Sequence, residues 1–247
     1  MTTRIEVSRH AGHAVVRLRT GHLAPRRLPD VDGRVRVALV ATGALLLGGD
    51  DVRVEVAVGP GIDLEIVEVA GLVAYDMRDA AVGAATWGVD VHVGAQASLV
   101  WAGLPFVVAD GATVARSTRV DLARGARAVL RETVVLGRTG ETGGHLETQL
   151  HAYLEGEAIL AESLVLDAAS RSDPALLGQR RCLDVVTALG LRLTEPAALQ
   201  LEGMGSVHRE LLRDAHEAVA PRVLTNVTSV IWHGNTRYIA SALASVP

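Results

Sequence analysis

The sequence predicts a mainly β protein: stacked antiparallel or β-helical sheets built from repeated hairpins, with one or two helices in the C-terminal part. Three observations predict it. Apolar and polar residues alternate over many short stretches, the signature of strands with one buried face. Glycine turns recur at a near-constant interval. Aromatic residues make up only 3% of the chain against 49% hydrophobic residues overall, so Val, Ala and Leu must fill the core.

The repeat is visible by direct comparison. Residues 52–69 "VRVEVAVGPGIDLEIVEV", 88–101 "GVDVHVGAQASLVW", 118–136 "TRVDLARGARAVLRETVVL" and 146–166 "LETQLHAYLEGEAILAESLVL" each read strand, glycine turn, strand. The turn glycines are Gly59, Gly94, Gly125 and Gly156. In the first unit Val52, Val54, Val56 and Val58 share one face and Arg53 and Glu55 the other. A unit this short cannot bury its apolar face alone, so neighbouring units are expected to stack. The expectation is one elongated β domain over 1–247, with repeated hairpins over 1–170 and closing strands and a helix over 171–247. Within the second part, 181–193 reads as an apolar strand. Ser206 reads as the N-cap, with Glu210 near the capping-box position, of an amphipathic helix "VHRELLRDAHEAVA" that Pro221 stops. Residues 222–232 and 236–243 read as two closing strands.

Bulk properties exclude several function classes. A net charge of −4 gives no general pull toward nucleic acid. Cys182 is the single cysteine, so an internal disulfide is excluded and a reducing, cytoplasmic location expected. MTTRIEVSRH has no apolar h-region, so no signal peptide is expected. Residues 37–49 are apolar but shorter than the ~20 needed to cross a bilayer. All 24 Lys-plus-Arg residues are arginine. A Walker A loop and a Schiff-base enzyme both need a lysine, and neither chemistry is available.

Catalytic motifs fail in turn. Gly203-Met204-Gly205-Ser206-Val207 lacks the glycine that a nucleophile elbow has after its serine, and lacks the third glycine of a dinucleotide loop. Cys182 lies in an apolar strand pattern and reads as an inert buried thiol. Among nine histidines, neither His10 with His13, nor His145 with His151, nor His208 with His216 has the spacing of a preformed metal site. The reading is not an enzyme, with no catalytic residue and no preformed metal site. One pattern stands out. Glu68 follows Ile62, Leu64 and Ile66 at period 2; Glu132 lies between Leu130 and Val134; Glu162 lies between Leu160 and Leu164. Each glutamate therefore points where its aliphatic neighbours point. An unpaired buried carboxylate is very costly, so each needs an arginine, a hydrogen-bond network or water. Structural pairing, for instance with Arg131 or Arg138, is one reading, and a wet internal passage lined by carboxylates is the other. Gly48-Gly49-Asp50-Asp51 reads as a turn that launches a strand.

Taken in order, "LLLGGD" (45–50), "LVW" (99–101) with Pro105, "ETVVLGRTGE" (132–141) and "EGEAILAESLVLD" (155–167) make the chain similar to the UreD (UreH) family of urease accessory proteins, over about residues 37–167. It departs from the family pattern at Val100, where an acid is usual, and at Gly103, where a proline is usual. The resemblance implies a scaffold for nickel insertion rather than a catalyst. Its partners would be a helical urease accessory protein, a nickel-carrying GTPase and the urease apoprotein, with no nucleic acid and no membrane. No cofactor would be tightly bound, with Ni²⁺ only in transit, and the family is thought to hold an internal water-filled tunnel. On that implication Asp50, Glu68, Glu132, Glu162 and Glu141 are candidates for nickel passage. Gly48, Gly49, Trp101 and Arg138 are candidates for an interface or a structural motif. The competing expectations are a carbohydrate-processing or cupin-like β enzyme using the same inward acids, or a purely structural β-solenoid adaptor.

Overall fold

The computed structural model describes residues 1–76, 83–173, 176–178, 180–191, 222–224 and 227–234. Two β-sheets face each other. The first has the order β14-β13-β11-β8-β5-β1-β2. Its strands are β1 (Thr2–His10), β2 (His13–Arg19), β5 (Asp51–Val58), β8 (Ala85–Val93), β11 (Thr113–Leu122), β13 (His145–Leu154) and β14 (Glu157–Leu166). The second runs β16-β17-β15-β12-β9-β6-β4-β3. It is built from β3 (Leu23–Val31), β4 (Arg34–Ala41), β6 (Asp63–Glu68), β9 (Ser98–Ala102), β12 (Arg127–Leu136), β15 (Cys182–Leu189), β16 (Arg222–Leu224) and β17 (Val227–Gly234). Two short strands, β7 (Leu72–Ala74) and β10 (Phe106–Val108), pair with each other, and β10 also pairs with β12. One short helix, α1 (Ala168–Ser172), follows β14.

The stacked, mainly β architecture is the one the sequence predicts, but three of the four repeat units are not hairpins. β5 and β6 lie in opposite sheets, as do β8 and β9, and β11 and β12. Each of these three units is an arch, and the strands of the first two pair in parallel with the equivalent strands of the next, as does β11 with β13. Asp51 pairs with Thr86 and Leu64 with Leu99, both 35 residues on; Trp87 pairs with Arg116 and Leu99 with Ala128, both 29 residues on. The sequence repeat is thus the pitch of a coil shared by both sheets. Alternation with glycine turns is common to hairpins and arches, because it reports one buried face and a sharp reversal but not the partner strand. Only the last unit, β13–β14, pairs with itself in antiparallel fashion. At the start of the chain β1–β2 and β3–β4 are also true hairpins.

The arch corners stack on one another. Gly59 N–H donates to Val7 O (2.7 Å), Gly94 N–H to Val58 O (2.7 Å) and Ala123 N–H to Val93 O (2.9 Å). A Cβ on Gly94 would lie 2.8 Å from Pro60 N and 2.9 Å from Val58 O, so close approach of backbone to backbone requires glycine there. Between the sheets the core is aliphatic. One inner row of the first sheet is Ile5, Val56, Val91, Val120 and Ala152, all buried. Its outer counterpart is Arg4, Glu55, Asp90, Arg119 and His151, with an ion pair between Arg4 and Glu55. The α1 N-terminus is closed by Asp167, whose Oδ1 accepts from the N–H groups of Ala169 and Ser170 (both 2.9 Å), while Ser170 Oγ accepts from Asp167 N–H (2.6 Å).

In the C-terminal part, the strand expected over 181–193 is β15. The single strand expected over 222–232 is instead an antiparallel pair, β16 with β17. The expected helix after Ser206 and the strand over 236–243 lie outside the described residues. β12 and β15 are clamped by a buried ion pair. Arg131 Nε donates to Asp184 Oδ1 (2.9 Å), Arg131 Nη2 donates to Oδ2 (2.8 Å), and Thr133 Oγ1 donates to Oδ1 (2.7 Å). Loss of one partner leaves a buried charge uncompensated. Arg131→Leu is therefore expected to cost about 3–5 kcal/mol. Arg131→Leu with Asp184→Leu should recover most of that loss, with denaturant midpoints as the measurement.

Candidate functional site: a polar cavity between the sheets

The site begins with an interruption of the second sheet. β12 pairs with β9 through Arg131 and with β10 from Val134 onward. In between, the chain leaves β9 through Gly103-Leu104-Pro105. Gly103 N–H still reaches Arg131 O (3.1 Å), and a Cβ on Gly103 would lie 2.5 Å from that same oxygen. Ile66 pairs with Trp101, which pairs with Leu130, so two residues further Glu68, Gly103 and Glu132 stand at one level on the inner face. The glycine leaves a gap between two carboxylates.

Opposite the gap, β8 supplies Trp87 and Val89 and β11 supplies Arg116 and Thr118, paired with each other in register. Together they form a partly open cavity lined by Glu68, Trp101, Gly103 and Glu132 on one side and by Trp87, Arg116 and Thr118 on the other. Its free volume of ≈ 30 Å³ is room for a couple of water molecules.

Each carboxylate has found partners. Glu68 Oε1 accepts from Trp101 Nε1 (3.0 Å) and Oε2 from Leu104 N–H (2.8 Å), the donor exposed by the broken ladder. Burial pushes the Glu68 carboxyl pKa above its ordinary value, and nearby Glu132 adds to the rise; the two hydrogen bonds and the positive charge of Arg116 oppose it. Glu132 Oε1 accepts from Arg116 Nη2 (2.5 Å) and Thr118 Oγ1 (3.4 Å). Arg131 and Arg138 are committed elsewhere, to Asp184 and Glu141. Two buried donors on the lining residues, Arg116 Nε and Trp87 Nε1, have no acceptor among the described residues. Such donors require water or another small acceptor. Trp87 and Phe106 meet edge to face, 6.1 Å between centroids, and Arg116 Cζ lies 5.4 Å from the Phe106 centroid.

The remaining candidates lie elsewhere. Glu162 is on the inner face of β14 across from Leu150, which in turn is across from Thr118, so a buried leucine stands between Glu162 and the cavity. Asp50 closes its own turn, with Oδ2 accepting from Leu47 N–H (3.0 Å) and its N–H donating to Leu47 O (2.9 Å). Gly49 has φ +78°, which glycine allows, and its N–H donates to Gly83 O. Gly48 belongs to the same turn.

Arg138 and Glu141 form a second assembly on the surface. Glu141 Oε1 accepts from Arg138 Nε (2.8 Å), and Oε2 from Arg138 N–H (2.8 Å) and Asp110 N–H (3.3 Å). Asp110 Oδ1 accepts from Gly143 N–H (2.6 Å) and from the N–H and hydroxyl of Thr142. Arg181 reaches the carbonyls of Leu136 and Gly137, and Arg171 that of Thr142. This motif is a turn locked by its own hydrogen bonds. Among the described residues no three His, Cys, Asp or Glu side chains form a group able to hold a metal ion, and no helix is long and apolar enough to cross a membrane. His208 and His216 lie outside the described residues.

Arg116, Trp87 and Thr118 were not singled out by sequence reasoning, and Gly103 only as a departure from the family pattern. A signal existed for Arg116. It falls at the inward parity of Val114, Thr118, Val120 and Leu122, the same argument that marks Glu132. A repeat unit that begins at Thr118 leaves Arg116 outside it.

Comparison with known proteins assigns the chain to a family. A family model described as UreD urease accessory protein matches residues 2–245. The chain belongs to the UreD family. It is 43% identical over 218 residues to urease accessory protein UreD 1 of Streptomyces griseus, covering 87% of this chain and 82% of that one. It is 34% identical over 184 residues to UreD 2 of Saccharopolyspora erythraea, covering 73% and 64%. It is 33% identical over 210 residues to UreD of Streptomyces coelicolor, covering 83% and 82%. The family match extends well beyond residues 37–167, into the C-terminal part.

Two measurements check the electrostatics. Hydrogen bonds from Arg138 and from backbone N–H groups hold the Glu141 carboxyl at about 2. A lowered folded pKa means that the stabilisation is complete above the ordinary value of 4.5 and is lost as pH falls from there through about 2. Side-chain NMR titration is expected to place the Glu141 midpoint near that value, and Arg138→Ala to move it back up. Burial, with Asp184 nearby, pushes the Cys182 thiol up to about 12. Iodoacetamide at pH 8 is therefore expected to leave native Cys182 unlabelled and to label it in denaturant.

Proposed function

We propose that this protein acts in urease maturation as a scaffold that binds a helical accessory partner and the urease apoprotein and helps nickel pass from a GTPase to the urease active site. Membership of the UreD family supports the maturation role. The observation that carries the nickel step is the polar cavity set into an aliphatic core, with Glu68 and Glu132 at one level on either side of Gly103. Glu68 has structural work in accepting the Leu104 N–H, but a second acid at the same level adds a desolvated charge that repair of the ladder does not require.

The donor set suits passage better than storage. Ni²⁺ is held tightly by clustered imidazoles and thiolates, whereas carboxylates and water exchange it readily. The GTPase would be a separate chain, since this one has no lysine for a Walker A loop. Partner binding has its own support. Val40 and Val69 continue the β4–β6 ladder side by side, with 37% and 59% of their surface exposed, an apolar pair on the outer side of the second sheet.

The reading of the inward acids as glycosidase catalysts finds no support in the geometry. Among the described residues Glu162 does not line the cavity that Glu132 lines, and the space there is far smaller than a sugar ring. The test of the nickel step uses urease apoprotein activated in the presence of this chain. Glu68→Gln with Glu132→Gln, which keeps side-chain size and removes both charges, is expected to lower the nickel content of the urease several-fold. An unchanged nickel content with the variant folded would sink the passage idea.

A further inference from the structure

The geometry points to Arg116 as an internal counter-ion that holds the cation position between Glu132 and Glu68, so that a divalent cation enters the cavity only by displacing its guanidinium. This rests on the reading of the cavity as a cation route and adds the residue that controls it.

Three observations carry the inference. First, Arg116 is the cationic side chain among those lining this cavity whose charge acts on both acids. It is bonded to Glu132 and pulls electrostatically on Glu68. A cation beside Glu132 meets a carboxylate whose charge is already balanced by a guanidinium, and repulsion from the arginine itself. Second, two lining residues carry donors without a partner: Arg116 Nε and Trp87 Nε1 lack acceptors among the described residues, so the surroundings of Arg116 as built call for an acceptor such as water rather than a second cation. Third, the part-buried Arg116 is held by fewer carboxylate contacts than Arg131. It has one carboxylate oxygen at Nη2 rather than the two-pronged clamp that Arg131 makes with Asp184. The Phe106 ring, 5.4 Å from Cζ, gives the guanidinium a cation–π surface inside the sandwich that needs no carboxylate. A displaced Arg116 thus has somewhere to stay while Glu132 turns to the metal ion.

The full chain is the material for the test, with Ni²⁺ itself as the probe in isothermal titration calorimetry. Arg116→Met removes the charge at similar length and is expected to bind Ni²⁺ about tenfold more tightly than the wild type. Adding Glu68→Gln and Glu132→Gln to Arg116→Met is expected to abolish that gain, which separates the cavity from surface histidines. Circular dichroism checks folding. Arg116→Gln, whose amide N–H can still donate to Glu132, serves as the second variant where Arg116→Met does not fold. Arg116→Lys, which keeps the charge, is expected to show no gain. Folded uncharged variants that bind Ni²⁺ like the wild type overturn the inference, and so does a gain that survives loss of both glutamates. Its failure is distinct from failure of the passage reading. Urease nickel content that drops with Glu68→Gln and Glu132→Gln, while Arg116→Met gains no binding, removes Arg116 from the mechanism and leaves the route standing.

Discussion

A parallel stack of coils imposes one requirement on everything else in this molecule: the backbone groups of each coil must be satisfied by the next coil at a fixed offset. The shared offsets of 35 and then 29 residues in both sheets express that requirement. Where it fails, at the passage from β9 to β10, an N–H group is left inside the sandwich. Glu68 answers it by accepting from Leu104, and Trp101 from the neighbouring strand donates to the other oxygen of the same carboxylate. The polar site follows from that fault. A carboxylate recruited to mend a ladder brings charge into the core, and the charge brings further polar groups with it.

The two arginine–carboxylate pairs on β12 show how differently the same chemistry can be used. Arg131 and Thr133 both bond Asp184, and with the two-pronged contact the carboxylate is saturated. Such a pair specifies how β12 and β15 dock and little else. Arg116 and Glu132 share a single close contact, with a donor on the arginine left over and a cavity beside it. One residue of β12 points outward to a finished clamp and the next inward to an unfinished one. Strand alternation alone separates structural from adjustable charge.

Much of this was legible from the chain. The repeat length, the stacked β class and the inward direction of Glu68, Glu132 and Glu162 all follow from periodicity, because a two-residue period fixes which face a side chain takes. The arches were not legible as arches: a glycine reversal between two half-apolar strands looks the same whether the second strand returns to the first sheet or crosses to another. Nor was it legible which acids would meet. Glu68 and Glu132 are brought level only by the parallel register of β6, β9 and β12, while Glu162 goes to the other sheet behind Leu150. Asp50 and the Arg138–Glu141 motif were singled out by their resemblance to family elements. Here they are turns that satisfy their own hydrogen bonds. A recurrent motif can mark a backbone that has to bend as readily as a ligand that has to be held.

The cation route proposed for this core would face a contradiction. Carboxylates that attract the ion are, in its absence, buried charges without partners, each costing several kcal/mol. A protein can meet that cost by protonating the acids, by filling the space with water, or by keeping a cation of its own in reserve. This cavity combines the means. Glu68 is pushed toward its protonated form, the free volume suits a water or two, and Arg116 supplies the positive charge. An arginine is suited to the last task because it cannot lose its proton and can exchange a carboxylate for an aromatic face without leaving the low-dielectric interior. On the proposed reading, the feature that makes the resting state tolerable would also discriminate at entry: a divalent ion with an affinity for oxygen gains more than a monovalent one by taking Glu132 from a guanidinium.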